Sequence, residues 1–179
     1  MTNLGLLHLF LGIQFFQMHD GIFISQPKYV LDLLKRFKMN DYKSCATLFQ
    51  SGVKLTKDCD SSKVDATLYW QLVESLIYLT HGRPNIYFVI SMVSRFIQDP
   101  RENHWMVAKR IVCYIEGTYQ LGTKYYQNKN SLVGFTDSKW VGNNDDVKST
   151  FGYMFCLSSG SMVWSCKKQK VVSLSTTEA

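Results

Sequence analysis

The sequence predicts an α+β fold in which a β-hairpin and a set of helices precede a meander of short strands. Three features of the 179-residue chain carry this prediction. An Asp-Gly pair separates two apolar stretches near the N-terminus, and apolar residues recur at helical spacing between about residues 27 and 117. After Gly117, short β-rich runs alternate with turn residues. The change divides the chain into predicted regions 1–120 and 130–179.

The first predicted element is a hairpin over residues 9–25, centred on Asp20-Gly21. This pair is typical of a type I′ turn, in which both central residues need positive φ. Ser25 is then the predicted N-cap of a helix that reaches about Phe37, with a proline in its first turn. Lys35 and Arg36 lie off the apolar stripe of this helix. They are therefore either a solvated face or contacts to nucleic acid.

Residues 40–64 are polar and rich in turn formers, which predicts a linker or a long loop. A helix follows over about residues 65–79, and a second runs from about residue 84 to residue 96 or 97. The stripe of the first of these two helices consists of Leu68, Leu72, Leu76 and Leu79.

The last predicted helix begins with Asp99 as its cap and Glu102 at the third position, in the manner of a capping box, and ends at about Gly117. Lys109 and Arg110 lie in its middle. They are either phosphate contacts or part of an ordinary charged face, and the pattern alone favours the charged face.

The segment after Gly117 reads as an antiparallel meander. Its β-rich runs are "LGTKYY", "SLVGFTDS", "GYMFCLS", "SMVWSCK" and "KVVSL". The residues after them, Ser175 to Glu178, have the spacing of a capping box and predict the start of a helix.

Asp137 is unusual because it is an acid at the end of an apolar run, and acids are depleted in strands. It is either a solvent-facing residue of a half-buried strand or a ligand in a metal site, where a cation would offset its desolvation. Asp145 and Asp146 read as turn residues. Glu178 is either a helix cap or a second ligand reaching a cation from the first turn of its helix.

Charge and cysteine usage narrow the classes of partner. A net charge of +6 favours a polyanion such as nucleic acid, although the same charge also serves solubility. The five cysteines form no C-x-x-C pair, which argues against a zinc motif and a disulfide framework. No Lys or Arg precedes Lys28, so the apolar N-terminus lacks the start of a secretory signal. We expect an intracellular protein of the cytoplasm or nucleus, with no membrane partner.

Several stretches resemble, in order and spacing, the Pol polyprotein of copia-type LTR retrotransposons, and the resemblance covers nearly the whole chain. It implies the C-terminal, thumb- or connection-like part of a reverse transcriptase, followed by a truncated RNase H-like meander. The stretches are "LGIQF", "GIFISQPKYVLDLLKRFKM", "YWQLVESLIYLTHGRPNI", "PRENHWMVAKRIVCYIEGT", "GFTDSKWVG", "KSTFGYMF", "GSMVWSCKKQ" and "VSLSTTEA".

The resemblance implies RNA-directed DNA synthesis and hydrolysis of RNA–DNA hybrids, with Mg²⁺ or Mn²⁺ held by Asp137 and Glu178. It places Lys167 and Lys168 near the backbone of the hybrid, and other Pol segments are implied partners. The polymerase motif Tyr-x-Asp-Asp does not occur in this sequence, and two further RNase H carboxylates lie downstream in the family. We therefore expect this chain alone to be catalytically inactive.

Two alternatives stay open. The chain is either a nucleic-acid-binding remnant without catalysis or a repurposed interaction or effector protein. We also expect one apolar face of the C-terminal meander to lie exposed, since no covering helix follows in the sequence.

Overall fold

Two antiparallel sheets and a group of helices make up the part of the chain that the computed structural model describes, which is residues 5–50, 53, 55–57, 61–127, 131–139, 148–157 and 159–169. The predicted α+β class is confirmed. The strands are β1 (Leu9–Phe10), β2 (Ile13–Met18), β3 (Gly21–Ser25), β4 (Gly122–Tyr126), β5 (Leu132–Lys139), β6 (Thr150–Leu157) and β7 (Gly160–Lys168). The helices are α1 (Pro27–Arg36), α2 (Ala66–Leu79), α3 (Tyr87–Val93) and α4 (Glu102–Gly117).

The first sheet has the order β1-β2-β3-β4. The turn between β2 and β3 differs from the predicted turn centred on Asp20-Gly21. Met18 pairs with Gly21, so the loop between β2 and β3 is His19-Asp20, one residue earlier than predicted. Of the predicted central pair, Gly21 has φ 156° and Asp20 is not among the described residues with positive φ, whereas both central residues of the β1–β2 turn have positive φ, 47° at Leu11 and 75° at Gly12. That geometry matches a type I′ turn. The sequence missed it because Leu is a rare residue at positive φ.

Strand β4 belongs to this first sheet and not to the C-terminal meander, where the sequence placed the run "LGTKYY". It pairs antiparallel with β3, from Gly21 opposite Tyr126 to Ser25 opposite Gly122. The Nζ atom of Lys124 lies 2.7 Å from Asp20 Oδ2 and ties the strand end to the β2–β3 loop.

Helices α1 and α2 form where predicted but differ in detail. The N-cap of α1 is Gln26 rather than Ser25, and it makes no side-chain cap bond. Asp65 caps α2, since its Oδ1 accepts from the backbone N–H of Thr67 at 2.8 Å. Leu68 was predicted in the apolar stripe of α2, yet it is 39% exposed. The buried face instead begins one residue later, at Tyr69.

The segment predicted as one helix from residue 84 is α3 with a short 3₁₀ turn at each end, Pro84–Ile86 and Ser94–Phe96. The predicted cap of the last helix is wrong. Helix α4 begins at Glu102 with Arg101 as its N-cap, and the Arg101 backbone N–H donates to His104 Nδ1 at 3.1 Å. Instead of capping the helix, the Asp99 carboxylate forms ion pairs with Arg101 at 3.0 Å and with Lys63 at 3.4 Å.

The apolar core lies among the four helices. The segment between α1 and α2 packs against it, with Met39 and Leu55 buried. Tyr69 is fully buried, and its hydroxyl donates to the Val93 carbonyl at 2.8 Å. The core residues of the helices are Val30, Leu33, Leu34, Tyr69, Leu72, Val73, Leu76, Leu79, Val89, Ile90, Val93, Val107, Ala108, Ile111, Val112, Cys113 and Ile115.

The second sheet is a three-stranded antiparallel meander, β5-β6-β7, as predicted for this part of the sequence. Its register places Asp137 opposite Gly152 and Gly152 opposite Cys166. Strand β7 packs against α3 and against β4, so the meander contacts both the helices and the first sheet. The run "KVVSL" and the helix start predicted at Ser175 lie outside the described residues. No helix in the described part is long and apolar enough to cross a membrane.

Candidate functional site

Asp137 lies in the middle of β5 with its side chain exposed. Strand alternation places it on the same face of the meander as Cys166, two strands away, and Gly152 between them adds no side chain. This face looks toward α3 across a cavity of about 550 Å³. The cavity is mostly aromatic and apolar, and its lining includes Tyr87, Phe88, Phe135, Met154 and Trp164. Asp137 is the carboxylate among its described lining residues.

The pKa of the Cys166 thiol depends in part on the charge of Asp137. Burial raises the pKa of the Cys166 thiol, and the Asp137 carboxylate raises it further because a second negative charge beside it disfavours the thiolate. A hydrogen bond from Ser91 and the charge of Arg95 act in the opposite direction. The cysteine is therefore a reporter placed between the helical region and the candidate catalytic acid.

The Asp137→Asn variant should react with iodoacetamide at Cys166 at lower pH than the unmodified chain. Removing the carboxylate stabilises the thiolate, which is the reacting form. Peptide mapping by mass spectrometry over a pH series measures the midpoint for this cysteine alone. The exposed loop variant Asp41→Asn is the control and should leave the midpoint in place. Equal midpoints in all three proteins would show that the Asp137 charge does not influence the Cys166 thiol.

Lys167 and Lys168 are neighbours in β7 and therefore lie on opposite faces of the meander. Lys168 pairs with Thr150 and lies on the face of Asp137. Lys167 pairs with Phe151 and lies on the other face. Strand alternation therefore places Lys168, but not Lys167, on the face of Asp137, although both lysines and Asp137 line one broad cavity of about 1120 Å³ at this end of the sheet.

The face that carries Lys167 is apolar and open, as the sequence predicted for one face of the meander. Its exposed side chains belong to all three strands, and their exposed fractions range from 36% for Phe151 to 63% for Leu132. Together with Lys167 we call this surface the open face. Its apolar residues are Leu132, Phe151, Phe155, Leu157 and Val163.

The predicted basic residues of α1 and α4 lie apart from Asp137, since they line neither cavity beside it. Arg36 donates to Ser75 Oγ at 3.4 Å, and Arg110 donates to Thr47 Oγ1 at 2.8 Å. These arginines therefore hold neighbouring elements together. Lys35 is exposed, and Lys109 lies 5.2 Å from the centre of the Trp105 ring. The two lysines have charged ends that can still meet phosphate.

A divalent ion was predicted between Asp137 and Glu178, and Glu178 lies outside the described residues. Within them, no group of three or more His, Cys, Asp or Glu side chains is placed to hold a metal ion. The described part of the predicted ion site is Asp137, an exposed carboxylate, which is a ligand type that Mg²⁺ and Mn²⁺ prefer.

Arg83 is a buried cation at the start of the 3₁₀ turn before α3, and the sequence pattern predicted no role for it. The neighbouring Gly82 and Pro84 read only as helix breakers. No local pattern marks a buried arginine, because its burial depends on the packing of distant segments.

Comparison with curated proteins identifies the family. The chain is 38% identical over 174 residues to the retrovirus-related Pol polyprotein from transposon RE2 of Arabidopsis thaliana, covering 97% of this chain and 12% of that protein. It is 34% identical over 188 residues to the Pol polyprotein from transposon TNT 1-94 of Nicotiana tabacum, covering 100% of this chain and 14% of that protein. The chain belongs to the family of copia-type Pol polyproteins.

The chain spans only 12 to 14% of the length of these Pol polyproteins. It spans more of a shorter relative, an uncharacterised mitochondrial protein of Arabidopsis thaliana, to which it is 33% identical over 180 residues with 74% of that protein covered. No protein-family profile and no solved structure matches the chain. Membership of the copia-type Pol family thus stands on sequence similarity that extends over both sheets and all four helices.

Proposed function

We propose that this chain is the segment of a copia-type Pol polyprotein that links the end of the reverse transcriptase to the opening strands of its RNase H domain, and that it binds RNA–DNA hybrids. The observation that carries the proposal is Asp137. An exposed acid stands on the first strand of a three-stranded meander that follows a helical region, in a chain similar to Pol polyproteins over nearly its full length.

In this proposal Asp137 and Glu178 hold Mg²⁺ or Mn²⁺ in the full Pol protein. The ion would supply an activated water and neutralise charge on the scissile phosphate. Lys168, on the face of Asp137, would meet the hybrid backbone, and Lys167 would serve a separate contact on the open face. Lys35 and Lys109 would add phosphate contacts from the helices.

We further propose that the chain binds hybrid without cleaving it. Two-metal hydrolysis needs several carboxylates around both ions. Of the residues described around Asp137, none adds a second carboxylate to the lining of either neighbouring cavity. Other Pol segments are the proposed source of the remaining ligands.

The test is fluorescence anisotropy of a labelled RNA–DNA hybrid over a salt series, combined with a cleavage assay in Mg²⁺ and in Mn²⁺. We expect salt-dependent binding and no cleavage. The double variant Lys167→Gln, Lys168→Gln should reduce the slope of log K against log salt by about 2, since each phosphate contact contributes about 0.9. The matched double variant Lys38→Gln, Lys43→Gln removes the same charge from exposed positions outside the proposed contacts and should keep the slope.

The assay separates binding from catalysis. Cleavage that disappears in Asp137→Asn would show that the chain completes an active site and would overturn the proposed inactivity. Binding that is absent at low salt would instead remove nucleic acid as the partner. The open face would then favour the second candidate, an interaction protein, because an exposed apolar surface of this kind marks contact with another protein.

A further inference from the structure

Arg83 is a buried cation that no described carboxylate neutralises. It is 2% exposed. Its Nη1 donates to the Thr118 carbonyl at 3.1 Å and its Nη2 to Thr118 Oγ1 at 2.9 Å, while the guanidinium lies 5.9 Å from the centre of the Tyr114 ring. Its Nε is buried without a hydrogen-bond partner. Burial lowers the pKa of Arg83, because the charged guanidinium is less stable away from water.

Arg83 lies in the wall of a cleft of about 490 Å³, which we call the Arg83 cleft. Three separate parts of the fold form it. The turn Gly82 to Asn85 gives one wall, the start of β4 from Gly122 to Lys124 gives the second, and Ser159 and Ser161 of the β6–β7 hairpin give the third. The cleft therefore opens where the helical region, the first sheet and the meander meet.

The charge of the cleft is positive. Arg83 and Lys124 both line it, and its described lining residues include no acid. Asp20, just outside, pairs with Lys124 at 2.7 Å and offsets one of the two charges. The charge of Arg83 is not offset in this way. Because Arg83 is buried, water weakens its electrostatic attraction for an anion in the cleft less than it would at an exposed arginine.

Hydrogen bonds between the three walls hold the cleft in shape, and Thr123 Oγ1 of β4 donates to the Gly82 carbonyl at 3.5 Å. Ser159 Oγ donates to the Lys124 carbonyl at 2.9 Å, and the Tyr125 hydroxyl donates to the Ser161 carbonyl. Arg83 itself is fixed by its two bonds to Thr118. A site whose walls are already ordered loses little conformational freedom when a ligand enters.

We propose that the Arg83 cleft binds a phosphate group. A buried cation without a counter-charge is costly, and an anion placed beside it offsets that cost. Phosphate suits the site because guanidinium and ammonium groups, which Arg83 and Lys124 supply here, are its usual protein partners. Under the proposed function, on which this form of the inference rests, the phosphate belongs to a nucleic-acid backbone crossing from the helical region to the meander.

Asn85→Asp is the variant that tests the cleft. Asn85 is exposed and lines both the Arg83 cleft and the cavity that faces Asp137, and its Nδ2 donates to the Tyr114 hydroxyl at 3.3 Å. The phosphate probe therefore decides whether the cleft itself is affected. An aspartate can accept a bond from the same hydroxyl, so the fold is kept while a negative charge enters the cleft. Replacing Arg83 would be less informative, because it would also remove both bonds to Thr118. Gln98→Glu is the matched control, since Gln98 is exposed and does not line the cleft.

Two probes are used on the full chain: a labelled RNA–DNA hybrid, followed by anisotropy over a salt series, and inorganic phosphate, followed by amide chemical shifts of Gly82, Thr118 and Lys124. We expect Asn85→Asp to bind the hybrid several-fold more weakly and to lower the salt slope by about 1. Gln98→Glu should behave as the unmodified chain. Loss of the phosphate-induced shifts in Asn85→Asp alone would support the site independently of nucleic acid.

The outcomes separate this proposal from the proposed function. If the hybrid binds equally well to Asn85→Asp and Gln98→Glu and phosphate shifts none of the three amides, the cleft is not a phosphate site although nucleic-acid binding stands. If the unmodified chain binds no hybrid but phosphate shifts these amides and Asn85→Asp abolishes the shifts, the cleft takes a small phosphate and the proposed function fails. If neither probe responds, both proposals are overturned.

Discussion

Leu76→Ala should lower the free energy of unfolding by about 3 to 5 kcal/mol, whereas Leu68→Ala should change it by less than about 1 kcal/mol. Both residues belong to α2 and both were placed on the same apolar stripe by the sequence. Leu76 is fully buried among the four helices, so its truncation loses transfer free energy and leaves a cavity. Leu68 is 39% exposed near the start of the helix, so the alanine there leaves little empty space.

Chemical denaturation of both variants, with the slope against denaturant checked for constancy, measures the difference. The pair is a matched control, since the same side chain is truncated in the same helix and the loss of helix-forming side chain is identical. A loss of this size is a large fraction of the 5 to 15 kcal/mol typical of a domain. Equal losses would mean that the stripe read from the sequence is correct and that the buried face of α2 includes Leu68.

The exposure of Leu68, which was predicted to be buried, shows which features of a helix its periodicity predicts. Residues at a spacing of three or four share one side of a helix, so the existence of α2 and the burial of Leu72, Leu76 and Leu79 follow from the sequence. Where the stripe ends depends on which elements lie beside the first turn. Here the core begins at Tyr69, because its ring packs inward and its hydroxyl reaches the carbonyl of Val93 in α3.

The cap of α4 is a second case in which distant contacts overrode a local signal. Asp99-Pro100 before an apolar stripe is a sound N-terminal pattern. Asp99 pairs instead with Lys63, a residue in the segment before α2, and with Arg101. His104 then accepts the Arg101 N–H and its other ring nitrogen bonds to the Thr56 carbonyl at 3.0 Å. Lys63 and Thr56 lie outside residues 99–104, so nothing in that stretch alone indicates these two partners.

The residues of the candidate site likewise fall into those that the local sequence indicates and those that depend on contacts between distant segments. Asp137 was found from the sequence because an acid in an apolar strand is conspicuous without any knowledge of its neighbours. Its neighbour Cys166 and the cavity facing α3 depend on strand register and on how the meander packs, which no short pattern encodes. Lys167 and Lys168 were treated as one basic group, yet the period of a strand sends them to opposite faces.

Gly122→Ala should cost at least about 2 kcal/mol of stability, and the loss should be located in the first sheet. A Cβ at residue 122 would lie 2.7 Å from Cζ of Phe23 and 2.8 Å from Cβ of Ser25, and it would also collide with the Ile24 carbonyl oxygen. The carbonyl belongs to the backbone of β3, the strand that pairs with β4, so it cannot turn aside as a flexible side chain would. The alanine should therefore force β4 away from β3.

Gly152→Ala is the matched control, since Gly152 also lies in a strand. Its added Cβ would meet the Ser165 carbonyl oxygen at 3.5 Å, an ordinary contact, so we expect a neutral or slightly stabilising effect of up to about 1 kcal/mol. Denaturation gives the size of both effects, and amide hydrogen exchange locates them. In Gly122→Ala, exchange should rise in β2, β3 and β4 while β5 to β7 keep their protection.

This experiment decides between the two placements of the run "LGTKYY". The sequence grouped it with the meander because β-rich segments that follow one another usually pair. The structure pairs it with β3, about a hundred residues earlier, a long-range contact for which a single sequence holds no local signal. If Gly122→Ala instead raises exchange in β5 to β7 and leaves β3 protected, the strand belongs to the meander. The Arg83 cleft would then lose the wall that β4 provides.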